Sequence, residues 1–199
     1  MKTTFFAVLL GVMLALTSTA SMAIVLRINP ATLDVAVGDT VMLDVEVDGL
    51  GDQVAPSLGA YDIDVTYDPA LFGFVEVIFG TGLDVFGLGN LPEAIDDGVG
   101  MVNLSEFSFD DPVDLIPYQP ATFTLATLKF TTKAVGSSPF GLVVTELGDE
   151  QGDPFQDTTI TGGSVTITEA ATTVPEPAST ALWAVGLLGL VVTTRRRRR

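Results

Sequence analysis

Apolar and polar positions alternate with a period of two through the middle of the chain. Over Thr40 to Val47, the residues Val41, Leu43, Val45 and Val47 fall on one side and Met42, Asp44 and Glu46 on the other, the pattern of a half-buried strand. Ala60 to Tyr67 repeats it, with Tyr61, Ile63, Val65 and Tyr67 inward and Asp62, Asp64 and Thr66 outward. The same period predicts strands at Ile24 to Ile28, Leu33 to Val37, Phe72 to Phe79, Met101 to Phe109, Thr122 to Thr132, Phe140 to Thr145 and Ser164 to Thr168. Parity slips between Leu104 and Phe107 and between Leu125 and Leu128, which predicts two bulges. Turn residues separate the segments at Val37-Gly38-Asp39, Asp48-Gly49, Tyr67-Asp68-Pro69, Gly136-Ser137-Ser138-Pro139 and Gly162-Gly163. Asp68-Pro69-Ala70-Leu71 suits one helical turn. Gly80 to Gly100 and Asp110 to Pro120 read as long surface loops. Many short strands with no amphipathic helix among them predict an all-β domain, a β-sandwich of about nine strands.

The two ends break this pattern. Met1-Lys2 followed by the apolar run Phe5 to Leu16 and the small-x-small triplet Ser21-Met22-Ala23 has the form of a secretory signal peptide, cleaved after Ala23 by signal peptidase. At the other end, Ala178 to Thr194 carries no charge, and within it Ala181 to Val192 is apolar on every helical face. As a helix it would reach roughly 25 Å, slightly short of a hydrocarbon core, a mismatch that bilayer thinning accommodates. Trp183 lies near its outer end and Arg195, Arg196, Arg197, Arg198 and Arg199 close the chain, which orients the C-terminus to the cytoplasm. The organisation expected is a signal peptide over 1–23, a sandwich over 24–168, a linker with a Pro-Glu-Pro segment over 169–177, a transmembrane helix over 178–194 and a basic cluster over 195–199.

Composition narrows the chemistry. Of the 25 acidic residues in the 199-residue chain only Glu176 lies outside 24–173, where the basic residues are Arg27, Lys129 and Lys133. So acidic a domain repels nucleic acid and anionic lipid and suits cations, basic proteins or a high-salt exterior. There is no cysteine, hence no disulfide, and no histidine, hence no histidine-dependent acid–base or nucleophilic site and no usual zinc ligand set. No phosphate-binding glycine loop occurs. No cofactor is expected. Calcium is the one ion with candidate ligands, at Asp110, Asp111 and Asp114 and at Asp149, Glu150, Asp153 and Asp157, hard loop-borne oxygens outside EF-hand spacing. The single tryptophan lies in the tail, which leaves Tyr118 and Phe86 as exposed aromatic candidates for carbohydrate contact.

Val174-Pro175-Glu176-Pro177-Ala178-Ser179-Thr180, then the apolar span and the arginine cluster, closely resembles the PEP-CTERM sorting signal of exopolysaccharide-making Gram-negative bacteria. That resemblance implies that an exosortase, a membrane transpeptidase, reads Pro175, Glu176 and Pro177 and passes the chain to the cell surface or extracellular matrix. A second resemblance spans most of the ectodomain. Val37-Gly38-Asp39-Thr40-Val41, Leu58-Gly59-Ala60-Tyr61 through Asp68-Pro69-Ala70-Leu71, Ala126-Thr127-Leu128-Lys129-Phe130 and Gly162-Gly163-Ser164-Val165-Thr166-Ile167 together are similar to a cohesin domain. That implies a nine-stranded jelly-roll sandwich whose relatives bind dockerins in polysaccharide-degrading assemblies. Nothing in the chain resembles a dockerin's duplicated calcium loop.

The function expected is that of an exported, surface-sorted, non-catalytic recognition module for a dockerin-like protein or a polysaccharide. A calcium-bridged structural protein of the exopolysaccharide or biofilm layer and a polysaccharide-degrading enzyme are the alternatives. Calcium-dependent self-association would mark the first and turnover dependent on one carboxylate the second.

Overall fold

The computed structural model of the chain describes residues 23–170. The signal segment before Ala23, the Pro175-Glu176-Pro177 motif, the apolar span and Arg195 to Arg199 lie outside the described residues. Among those described, no helix is long and apolar enough to cross a membrane.

Eleven strands and one short helix make up the domain: β1 (Ile24–Asn29), β2 (Thr32–Ala36), β3 (Thr40–Asp48), β4 (Leu58–Thr66), β5 (Phe72–Phe79), β6 (Asn90–Asp96), β7 (Met101–Ser108), α1 (Pro112–Leu115), β8 (Thr122–Thr132), β9 (Gly136–Asp149), β10 (Thr158–Thr161) and β11 (Gly163–Thr168). They form a five-stranded sheet in the order β10-β1-β3-β8-β5 and a six-stranded sheet in the order β2-β11-β9-β4-β7-β6. The alternating residues set the packing. Val41, Leu43, Val45 and Val47 of β3 and Tyr61, Ile63 and Val65 of β4 are buried between the sheets, as their period predicts.

The first and last segments each cross from one sheet to the other. β1 pairs in parallel with β10, and β2 in parallel with β11. The crossing at Gly162 is tight enough to need glycine, because a Cβ there would stand 2.4 Å from the Phe140 carbonyl oxygen. Parallel pairing fixes the polarity of the sandwich. Ile24 enters at one end and Thr168 leaves at the other.

Nine strands are where the alternation predicts them, and β6 and β10 are additional. β6 falls within the Gly80 to Gly100 stretch expected to be loop. It is an edge strand, and the positions in register with the inward residues of β7, Asn90, Pro92, Ala94 and Asp96, carry no apolar period to announce it and, apart from Asn90, stay exposed. Pro92, which cannot donate to a ladder, is tolerated at such an edge. β9 extends well beyond Phe140 to Thr145 and takes in Gly136-Ser137-Ser138-Pro139, expected to be a turn; Ser138 is buried there opposite Val165. The bulge expected in β8 is present, since Val45 pairs with Ala126 and Glu46 with Thr124, leaving Leu125 without a counterpart. The bulge expected in β7 is not. Its register with β4 and β6 is unbroken, and the inward places after Leu104 are taken by Glu106 and Ser108. Asp68 to Leu71 does form one helical turn, with the Asp68 carbonyl accepting from Leu71 and Phe72 N–H.

On the outer face of the five-stranded sheet Arg27 Nε meets Glu46 at 2.9 Å and its Nη1 meets Asp48 at 2.8 Å. The Thr122 hydroxyl and then Arg27 hold the Asp48 carboxyl below its ordinary value. Arg27 and Asp48 remain a third or more exposed, so Arg27→Ala is expected to cost only about 0.5–1 kcal/mol, and less at high salt. Thermal melts of the variant and the parent chain at low and high ionic strength check this.

Candidate recognition site

The two ends of the sandwich differ. The end from which Thr168 departs is closed by the short connections 37–39, 67–71, 97–100 and 133–135. The opposite end, where Ile24 enters, carries the long connections 49–57, 80–89, 109–121 and 150–157. Loops this long at one end of a rigid sandwich are where binding residues are commonly displayed.

The outer face of the six-stranded sheet runs up to that end. Strand register places Asp62 and Asp64 of β4, Asn103, Ser105 and Phe107 of β7, Leu91, Glu93 and Ile95 of β6, and Val143 and Glu146 of β9 on it. Asn103 Nδ2 donates to Asp62 Oδ1 at 2.6 Å and to Asp64 Oδ1 at 2.9 Å, which fixes the two carboxylates side by side. Around them Leu91, Ile95, Phe107 and Val143 are each more than half exposed, and Phe109 lies edge-on to Phe107 with ring centroids 5.9 Å apart. A depression of about 530 Å³ lies among Asp62, Leu91, Glu93, Phe107 and Glu146. The three basic residues among those described are elsewhere. Arg27 and Lys129 form ion pairs on the five-stranded sheet, and Lys133 reaches the Pro69 carbonyl. The face therefore combines apolar anchors with uncompensated negative charge.

Beneath it Glu106 is 3% exposed and points between the sheets. It accepts from the Tyr61 hydroxyl at 2.7 Å and from the Asn90 side-chain amide. Burial raises its carboxyl above the ordinary value, partly opposed by those two hydrogen bonds, and burial also raises the Tyr61 phenol. Tyr67, inward as predicted, donates to Asp96 at 3.1 Å and is pushed up to about 12 by burial and then by that bond.

The candidate calcium ligands separate into those the fold gathers and those it does not. Asp110, Asp111, Asp149 and Glu150 line one cavity of about 330 Å³ at the long-loop end, whereas Asp114, Asp153 and Asp157 do not. Most serve the loops themselves. Asp110 Oδ2 accepts from Val85 N–H at 2.9 Å, Asp149 Oδ1 accepts from Gln151 and Asp153 N–H, and Glu150 Oε2 accepts from Ser57 N–H and is 3.2 Å from its hydroxyl. Asp114 sits in the first turn of α1, and the Asp157 carbonyl accepts from Ile24 N–H. Among the described residues no three acids are arranged as a metal-binding group. Ala23 is exposed immediately before the buried Ile24.

A two-sheet jelly roll with its end strands split between the sheets is the fold of cohesin modules, and solved structures agree. The seventh ScaB type I cohesin of Pseudobacteroides cellulosolvens superposes with a TM-score of 0.62 at 16% identity, over 78% of this chain and 98% of that one. The sixth cohesin of Acetivibrio cellulolyticus scaffoldin B, solved with a Cel5 dockerin, gives 0.60 at 18% identity over 73% and 99%. The solution structure of a Clostridium acetobutylicum cohesin gives 0.56 at 23% identity over 75% and 94%. No family model matches the sequence, and no curated protein does.

Proposed function

We propose that this chain is an exported, surface-displayed recognition module without catalytic activity, and that it takes a protein partner on the outer face of the six-stranded sheet. The observation that carries this reading is the composition of that face, with Leu91, Ile95, Phe107 and Val143 exposed around Asp62, Asp64, Glu93 and Glu146 and no lysine or arginine among them. The complementary partner presents apolar side chains ringed by basic ones, as a dockerin-like module does when it carries lysine or arginine at its contact face. The cohesin structures solved with dockerins support a dockerin-like partner. Export and sorting rest on the sequence signals, Ala23 as the cleavage position and Pro175-Glu176-Pro177 as the segment an exosortase reads, with the membrane reached through the apolar tail. The buried acid Glu106 is engaged by Tyr61 and Asn90 beneath the face, and the cohesin structures the chain resembles support a binding module rather than a catalyst.

A panel of dockerin modules of differing charge, applied to the immobilised full-length chain, tests the reading. Basic members are expected to bind, and Asp62→Lys with Asp64→Lys is expected to weaken them by about tenfold or more through charge reversal. Binding indifferent to both the partner's charge and this double variant would refute it.

A further inference from the structure

A second surface, independent of the sheet face, lies where β5 ends and β8 begins. We propose that the cleft between the 80–89 loop and Tyr118 is a binding subsite for a neutral polysaccharide chain.

Its cavity, of about 620 Å³, is bounded by Thr81, Asp84, Tyr118, Phe123 and Thr124. A hexose ring presents an apolar C–H face and a rim of hydroxyls, so a site for it needs an aromatic surface together with fixed acceptors and donors. Both are here. The Tyr118 ring is 60% exposed and stands edge-on to Phe86, itself 46% exposed, with centroids 4.9 Å apart. Tyr118 lines the cleft at the long-loop end, away from the Thr168 exit, and Phe86 abuts its ring from outside the lining. Phe123 contributes the apolar floor. It lies directly against Gly82, where a Cβ would stand 2.2 Å from the ring, so only glycine lets the ring lie there. Asp84, Thr81 and Thr124 are the polar residues of its rim.

The walls are built before any ligand arrives. Gln119, fully buried, donates from Nε2 to the Gly82 carbonyl at 2.9 Å and to the Leu58 carbonyl at 3.0 Å, and its Oε1 accepts from Leu58 N–H. One side chain thus hangs both cleft walls from β4. Gly80 N–H to the Leu125 carbonyl at 2.7 Å, Val85 N–H to Asp110 and Gly89 N–H to Asp84 Oδ1 at 3.0 Å hold the rest of the loop. A preformed cleft spares a ligand the ordering penalty of a mobile loop. Charge selects the ligand class. Asp84 in the rim and the acidic domain around it repel a uronic chain and leave a neutral one unopposed.

Calorimetric titration of the full-length chain, in a detergent without a sugar headgroup, tests this with cellohexaose, laminarihexaose and mannohexaose and with an alginate hexasaccharide as the anionic probe. At least one neutral probe is expected to bind with a Kd of about 0.1–1 mM and the alginate probe not at all. Tyr118→Ala is expected to weaken that binding about tenfold with an unchanged melting temperature, and Tyr118→Phe, which keeps the ring, to stay within about threefold. The Asp62→Lys, Asp64→Lys chain is expected to bind the sugar as the parent does, so failure here is separable from failure of the protein-binding face. No response to any neutral probe, equal binding of alginate, binding that Tyr118→Ala leaves intact, or a loss only of protein capture in that variant would overturn the proposal.

Discussion

Replacing Phe130 by alanine is expected to destabilise the domain by about 3–5 kcal/mol, the range for emptying a large aromatic site in a packed interior. Phe130 is fully buried on β8, paired with Val41 of β3 on one side and Phe74 of β5 on the other. Its ring stands 5.0 Å from Tyr67, 5.2 Å from Phe140, 5.8 Å from Phe74 and 6.1 Å from Phe72, centroid to centroid. Phe140 belongs to β9, so this ring is a main bridge between the two sheets as well as a filler of volume. No disulfide exists to hold the sheets together once that bridge is removed. Phe130→Leu keeps much of the volume and is expected to cost less than half as much as the alanine variant. The control is Phe107→Ala: the same residue type, but on the outer face and more than half exposed, it is expected to stay within about 0.5 kcal/mol. Urea unfolding with a common m-value checks the series; an alanine variant at position 130 no weaker than that at position 107 would refute this placement of the core.

The contrast between Phe130 and Phe107 also shows what the sequence could and could not disclose. Strands with a clean period of two, such as β3 and β4, were legible because one face met the core and the other met water. Where polar residues occupy inward places, the period misleads. Glu106 and Ser108 take core positions in β7, so the alternation looks broken although the register is continuous. β6 was invisible for a related reason: it is an edge strand whose places opposite the inward residues of β7, Asn90, Pro92 and Asp96, hold no large apolar side chain, while Leu91 and Ile95 fall on its solvent side. The acids of the 110 and 149 loops were legible as candidates, and the fold does bring Asp110, Asp111, Asp149 and Glu150 to one cavity. That they mostly brace loop backbone could not be read from spacing. The sheet face proposed for recognition was hidden differently. Asp62 and Asp64 looked like ordinary solvated positions, and only strand order sets Asn103, Leu91 and Phe107 beside them. Tyr118 and Phe86, by contrast, were legible as exposed aromatics, because the inward parity of Tyr61 and Tyr67 left few others. What no pattern disclosed was Gln119, whose three hydrogen bonds to β4 and Gly82 turn two loops into one cleft.

Glu106 is the group through which stability is expected to depend on pH in a direction unusual for a carboxylate. Burial raises its folded-state value above 4.5, the value it has when exposed. A raised value means the folded chain holds the proton more tightly than the unfolded chain does. The stabilisation from protonated Glu106 is therefore fully present below pH 4.5 and is lost as pH climbs through the higher folded-state value. Asp48 acts oppositely, because its lowered value gives stability that is present above 3.8 and lost as pH falls further. Between these two effects the chain is expected to be most stable at mildly acidic pH and to weaken toward neutrality. Glu106→Gln removes the buried charge while its amide keeps an acceptor for Asn90 and a donor for the Tyr61 oxygen. It is expected to flatten the decline on the neutral side and to leave the acid-side loss from Asp48 unchanged. Glu106→Ala instead leaves the buried Tyr61 hydroxyl and the Asn90 amide without their acceptor and is expected to cost about 2–4 kcal/mol across the range. Thermal melts of the three chains between pH 3 and 8 decide it. A Gln variant that declines toward neutrality as steeply as the parent would show that the carboxylate beneath this sheet face is not the titrating group.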